Sequence, residues 1–249
     1  MNRSCRSLIC ASAILVGLLG CATPPQDPED RAQWEEENDP LEPLNREIFA
    51  VNRVIDGLLI KPAAMIYRGV IPDEGRDAIR NVLGNLKEPV YAANHLLQGD
   101  VGGAGDAVAR FAVNTTVGVA GIMQPSADMG LPRRPNDFGK TLHIWGTGSG
   151  PYLVLPLGGS SALRDLAGSY VDGFFSPLRY VGRYEGRAYV GLFRNVLGTV
   201  DSRSRNLDAY REIERNSVDY YATMRARYLQ RRAQLIEQKA VMTAELPDF

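Results

Sequence analysis

The chain has 249 residues, 45% of them hydrophobic and 23% charged, with 28 Lys and Arg against 29 Asp and Glu, two histidines and three cysteines. A formal charge of -1 leaves no broad electrostatic footprint for nucleic acid. Two imidazoles and no cysteine pair at metal-ligand spacing are too few for a structural zinc site, so no metal or other cofactor is expected. A mean hydropathy of -0.19 excludes a polytopic membrane protein, though not one held at a membrane by another device.

Cys5, Cys10 and Cys21 all fall within the first 21 residues. Arg3 and Arg6 form a positive start, and Leu8 to Leu19 an apolar stretch too short to span a bilayer but suited to a signal peptide. Leu18-Leu19-Gly20-Cys21 resembles a bacterial lipobox. On that reading residues 1–20 are a leader, and Cys21 becomes the mature N-terminus, carrying S-diacylglycerol and an N-palmitoyl chain. An ordinary secretory signal would instead leave one unpaired thiol in an oxidising compartment. Ala22 follows where enterobacterial sorting reads Asp as a retention signal, so the lipoprotein is expected at the outer membrane, where several acyl chains hold it firmly. Residues 21–38 are Pro-rich and acidic without apolar periodicity, a solvated tether or an acidic docking segment.

Asp39-Pro40-Leu41-Glu42 has the order of a capping box and predicts a helix start. Leu41, Leu44, Ile48, Val51, Ile55, Leu58 and Leu59 then mark an apolar face, with Asn45, Arg46, Asn52, Arg53 and Asp56 facing elsewhere and Pro62 as the expected stop. Further helices are predicted over Asp73 to Leu86, Pro89 to Gln98 and Asp100 to Val117. In the last, Asp106, Arg110 and Asn114 form a polar stripe on a small-residue helix, able either to pack against a neighbour or to line a polar passage.

Thr141 to Leu163 carries no charge if His143 is neutral. Its length would suffice for a membrane span, but its glycines and Pro151 and Pro156 forbid one helix. It reads as a re-entrant or hairpin loop, or else as a buried loop of an ordinary core. Trp145, Tyr152, Leu153, Val154, Leu155 and Leu157 offer apolar surface, Gly146, Gly148 and Gly150 offer freedom of movement, and with Leu163 they make a candidate channel or gating loop. Helices follow from Ser161 to about Tyr170, from Ser176 and Pro177 to about Val196, and from Asn206 to about Thr243. Two-residue alternation is nearly absent, so the expected class is all-α, one body over 39–205 followed by a basic amphipathic C-terminal segment, 206–249.

Gly158-Gly159-Ser160-Ser161-Ala162 approximates a nucleophile elbow, which would make the chain a membrane-surface serine esterase. The proline-broken stretch before it and the shortage of histidine bases argue against this. No other catalytic constellation is visible.

Asp39-Pro40-Leu41-Glu42 with Asn45-Arg46, Lys61-Pro62, Asn85-Leu86 with Glu88-Pro89, Asn94, Leu97-Gln98-Gly99 and Arg110-Phe111 with Asn114-Thr115 resemble the MlaA (VacJ) outer-membrane lipoproteins. Phe138-Gly139, Thr141-Leu142, Gly146, Gly148, Gly150-Pro151-Tyr152, Leu155-Pro156, Leu163-Arg164-Asp165, Asp172-Gly173-Phe174 and Tyr228 to Arg231 continue the resemblance. It implies a helical, ring-like body in the inner leaflet of the outer membrane, on its periplasmic side, associated with trimeric porins and enclosing an amphipathic channel. It implies removal of mislocalised phospholipid from the outer leaflet, handed to a periplasmic lipid-carrier protein, with the family's hairpin loop falling on Gly146 to Leu163. A porin-associated structural lipoprotein without transport is the competing expectation.

Overall fold

The structure is a computed structural model that describes residues 39–184 and 189–241. Cys21, the leader and the acidic tether lie outside the described residues. The chain begins with one long helical rod: α1 (Glu42–Ile55), a π-helical turn (Asp56–Ile60) and α2 (Lys61–Val70). Pro62 does not stop it. The π turn widens the helix just before the proline, the Lys61 amide donates to the Asp56 carbonyl, and Pro62, in the first turn of α2, needs no donor there.

The expected capping box does not form either. Glu42 opens α1 with Pro43 in its first turn, and no side chain caps it. The Asp39 carboxylate instead accepts from Asn45 Nδ2 at 2.8 Å and from the Tyr221 hydroxyl at 2.5 Å. Two tertiary partners outcompete a local cap and tie the start of the body to its last helix.

α3 (Asp73–Asn85) leads through a short turn to the antiparallel pair α4 (Glu88–Leu97) and α5 (Val101–Thr116). Gly99 makes their turn at φ +73°, and Asp100 caps α5 by accepting from the Gly103 amide at 2.9 Å. A short α6 (Pro125–Asp128) and α7 (Phe138–Ile144) precede the only sheet among the described residues, an antiparallel hairpin of β1 (Tyr152–Leu155) and β2 (Gly159–Ala162) that pairs Tyr152 with Ala162 and Leu155 with Gly159. Ser161 therefore lies in a strand, and α8 (Leu163–Phe175) begins two residues later than expected. α8 crosses α7 where Gly139 meets Gly168: a Cβ on Gly139 would come within 2.6 Å of Asp165 Oδ1, and one on Gly168 would strike the Gly139 backbone.

The single helix expected after Pro177 is two, α9 (Pro177–Tyr184) and α10 (Tyr189–Arg205), and α10 packs across α2. The C-terminal segment is likewise two, α11 (Leu207–Asn216) and α12 (Tyr220–Val241). Ser217 turns extended, and Asp219 caps α12 by accepting from the Ala222 amide at 3.1 Å. α12 is built into the same body: Tyr221 and Tyr228 pack with Tyr152, Val154, Ile48 and Phe49. Arg232 forks onto Asp137 at 2.6 and 2.8 Å and reaches Asp165 at 2.9 Å.

That aromatic cluster is small, and most of the interior is polar. The largest fully buried side chains are Glu88, Asn45, Asn94, Asn114, Thr141, Ser126 and Ser204. The outside carries large apolar side chains as well. Along the α1–α2 rod Leu44, Val51, Val54, Leu58, Leu59, Met65, Ile66 and Val70 are all more than half exposed, Leu58 at 71%. Tyr189, Leu192, Phe193 and Val196 on α10 repeat the pattern. A contiguous apolar surface of this kind marks an interaction site. At about 1.5–3 kcal/mol per fully buried aliphatic side chain, covering the rod alone is worth on the order of 10 kcal/mol. No helix among the described residues is long and apolar enough to cross a membrane.

Candidate functional site

The hairpin is held against α1 by two asparagines. Asn45 donates from Nδ2 to the Tyr152 carbonyl at 3.0 Å and accepts from the Val154 amide at 2.8 Å; Asn52 donates to the Leu155 carbonyl at 2.9 Å and accepts from the Leu157 amide at 2.8 Å. Each side-chain amide thus substitutes for a peptide group of a neighbouring strand. The spacing makes this work: seven helical residues rise about 10.5 Å, and the two bonded sites on β1, three residues apart, are separated by about 10 Å. The free edge of β1 is satisfied without a third strand.

This clamp fixes the hairpin tip, Leu157-Gly158-Gly159, at the edge of a cavity of about 910 Å³. Helices supply most of the rest of the perimeter. Phe49, Asn52, Arg53, Asp56 and Ile60 come from the rod, Arg80, Leu83 and Gly84 from α3, and Arg194, Gly198, Asp201 and Arg205 from α10. Tyr210 of α11 and Tyr220 and Met224 of α12 complete it. Side chains drawn from between residues 49 and 224 thus surround one space whose mixed lining is rich in charged groups.

Seven cations line that space against two carboxylates, and both carboxylates are already engaged. Asp56 receives the Arg203 fork at 2.8 and 2.7 Å. Asp201 receives Arg205 at 3.0 and 2.7 Å and the Tyr67 hydroxyl at 3.1 Å. Burial first, and then the bond to Asp201, push the Tyr67 phenol up to about 12. Arg53 pairs with Glu214, and Arg80 with Asp77 at 2.9 Å. Arg133 lies 3.6 Å from Glu88. Among the described residues no carboxylate pairs with Lys87 or Arg194. Withdrawal from bulk water, followed by the guanidiniums of Arg194, Arg133 and Arg231, holds the Lys87 ammonium below the usual lysine range even though its side chain is open to the cavity.

The polar stripe of α5 lies elsewhere. Arg110 donates to Glu88 at 3.2 Å and to the Leu131 carbonyl at 2.7 Å, and Asn114 accepts from the Ser126 amide at 3.2 Å. Asp106 pairs with Arg134 at 3.2 Å. These three residues fasten the 124–134 segment onto α5, and none of them lines the cavity. The packing alternative describes their contacts.

Of the expected loop residues only Leu157, strained at φ +60°, lines the cavity. Tyr152 is core, Leu153 and Leu155 are half-buried, and Trp145 stacks edge-on against Phe138 at 5.6 Å. Gly146 and Gly148 stand in open space, whereas Gly150, at φ +66°, packs against Leu163. The Ser160 hydroxyl accepts from the Tyr152 hydroxyl at 2.7 Å. The two ring nitrogens of His95 lie against Asp100 Oδ2 and the Arg134 carbonyl, at 2.9 and 3.1 Å.

The cavity cations were missed, although a signal was there. Arg80, Leu83, Gly84 and Lys87 fall on one helical face, as do Arg194, Gly198, Asp201 and Arg205. A polar face reads as a solvated one until neighbouring helices are known to enclose it.

Comparison with known proteins bears on this arrangement. The family described as MlaA lipoprotein matches residues 37–235. The chain is 35% identical over 228 residues to the "Intermembrane phospholipid transport system lipoprotein MlaA" of Escherichia coli (strain K12), covering 88% of this chain and 86% of that one. It is 31% identical over 232 residues to the protein of the same name in Haemophilus influenzae, covering 90% and 88%. A solved structure reported as "Structural basis for maintenance of bacterial outer membrane lipid asymmetry" superposes with a TM-score of 0.71 at 34% identity, covering 80% of this chain and 98% of that one. With an all-α body matched over most of its length in sequence and in structure, the chain belongs to the MlaA lipoprotein family.

Proposed function

We propose that this protein is an outer-membrane lipoprotein that transports phospholipid, passing it from the outer leaflet through the central cavity to a periplasmic carrier and so maintaining lipid asymmetry. The observation that carries the reading is the inversion of the body, with apolar side chains outside and a charged cavity within. A lipid crossing between compartments needs a polar path for its headgroup while its chains remain in apolar surroundings. The shell is suited to sit among acyl chains, and the cavity to take the headgroup. Leu157 at the hairpin tip offers apolar contact beside the cations, and the open glycines at 146 and 148 leave the preceding loop room to move.

Anchorage through lipidated Cys21 on the periplasmic side, and association with a trimeric porin, belong to the same proposal and rest on the lipobox and the family resemblance. Porin association would place the cavity beside a stable protein wall in the membrane.

The test is the phospholipid exposed on the cell surface, measured by the products an added, impermeant phospholipase releases from a deletion strain and after complementation. Deletion is expected to raise it several-fold and the intact gene to restore it; an unchanged level in the deletion strain overturns transport. Cavity substitutions that leave asymmetry intact while the deletion does not would point to a porin-associated scaffold. Mass spectrometry of the N-terminal peptide checks the anchor, and an unmodified Cys21 overturns it.

A further inference from the structure

The most distinctive feature of the cavity wall is its uncompensated charge. Lys87 immediately precedes α4, Arg194 sits on the first half of α10, and Arg133 comes from the segment after α6; all three face the same space. Arg133 is built in. Its guanidinium lies over Gly84, where a Cβ would approach Nη2 to 2.6 Å, and the fully buried Glu88 steadies it from behind. Since Glu88 also takes Arg110, it cannot cancel the charge that Arg133 presents to the cavity.

We propose that Lys87, Arg133 and Arg194 form a subsite for the phosphodiester of a lipid headgroup and that the cavity favours phospholipids of net negative charge over zwitterionic ones. The proposal rests on the transport reading and adds its substrate class. The phosphate of any phospholipid can meet three cations, which bind it by charge-assisted hydrogen bonds. The alcohol esterified to that phosphate decides the preference. An ammonium headgroup would need a free carboxylate, and the two lining carboxylates, Asp56 and Asp201, are held by Arg203 and Arg205. A glycerol headgroup adds no charge and meets no such cost, so the cavity discriminates by repulsion as well as by attraction.

The subsite can be tested on the full lipoprotein in neutral detergent by calorimetric titration with dihexanoyl phosphatidylglycerol, dihexanoyl phosphatidylethanolamine and inorganic phosphate. Phosphatidylglycerol is expected to bind about tenfold more tightly than phosphatidylethanolamine, by analogy with other charge-pair losses in enclosed sites, and to weaken as salt is raised. Lys87→Gln with Arg194→Gln should abolish the difference while the circular dichroism and unfolding midpoint stay native. Lys87→Arg with Arg194→Lys should keep it. Equal binding of the two lipids by the native protein, or an undiminished preference in the folded Gln variant, overturns the proposal and leaves transport standing. Inorganic phosphate binding as tightly as phosphatidylglycerol also overturns it, because the site would then read free anion. Binding of neither lipid sinks the transport reading itself.

Discussion

Lys87 and Glu88 are neighbours in sequence and belong to opposite kinds of interior. Glu88 is 2% exposed and closes a seam in which Arg110, Leu131 and Gln124 complete one another within the chain. Lys87 looks into the cavity and finds only other cations. The seam therefore holds the fold together and has little to offer a ligand. The cavity wall does the reverse, and a single peptide bond joins the two. A buried charge serves structure when the chain supplies its partner, and serves binding when the partner has to come from outside.

The contrast is most sharply broken from the seam side. Glu88→Ala leaves Arg110 buried without its carboxylate and should cost about 3–5 kcal/mol, read as a fall in the unfolding midpoint in detergent. A loss under about 1 kcal/mol would show that the seam does not hold the fold. Next comes the hairpin. Asn45→Ala strands the Val154 amide and the Tyr152 carbonyl in the core and should cost about 2–3 kcal/mol. Asn52→Ala, whose partner Leu157 is exposed, should cost about 1 kcal/mol and speed amide exchange at 155–157.

A third interior polar group sharpens the comparison through pH. The Asp172 carboxyl is pushed up to about 6 by burial, against the Asn94 side chain and the Phe138 amide that bond it. A carboxyl raised in the folded state contributes stability below its unfolded value near 3.8 and loses it as pH rises through about 6. Asp172→Asn should therefore gain about 1–2 kcal/mol relative to the native protein between pH 4.5 and 7.5, after allowing for the weaker acceptor; a difference that does not vary with pH would refute the assignment. The smallest effect on stability is expected on the shell. Leu58→Gln should leave the unfolding midpoint in detergent within about 0.5 kcal/mol yet weaken vesicle binding of a form lacking the acyl anchor by roughly tenfold.

Much of the fold was legible. The helices beginning near Asp73, Glu88 and Val101 were bounded correctly because Gly99 and Asp100 act locally. Asp39 and Pro62 misled, since the first prefers tertiary partners to a cap and the second is absorbed by a π turn. The hairpin was hidden because a four-residue strand such as Tyr152–Leu155, half-buried on alternate sides, is too short to show its period among glycines and prolines. The loop was singled out by its lack of charge, but its contribution to the cavity comes from the tip, 157–159, rather than from the glycines at 146–150. The cations of the cavity stood on regular polar faces and looked solvated.

The sequence alone established the all-α class, the amphipathic segments and most of their ends, the uncharged stretch and the family motifs. Periodicity determines that polar and apolar residues occupy opposite faces of a helix; it does not say which medium each face meets. Only the tertiary structure decided that, by closing the helices into a ring whose polar faces converge. The apolar rod of Leu44 to Val70 is thereby left exposed on the outside, and Lys87, Arg133 and Arg194 come together from separate parts of the chain.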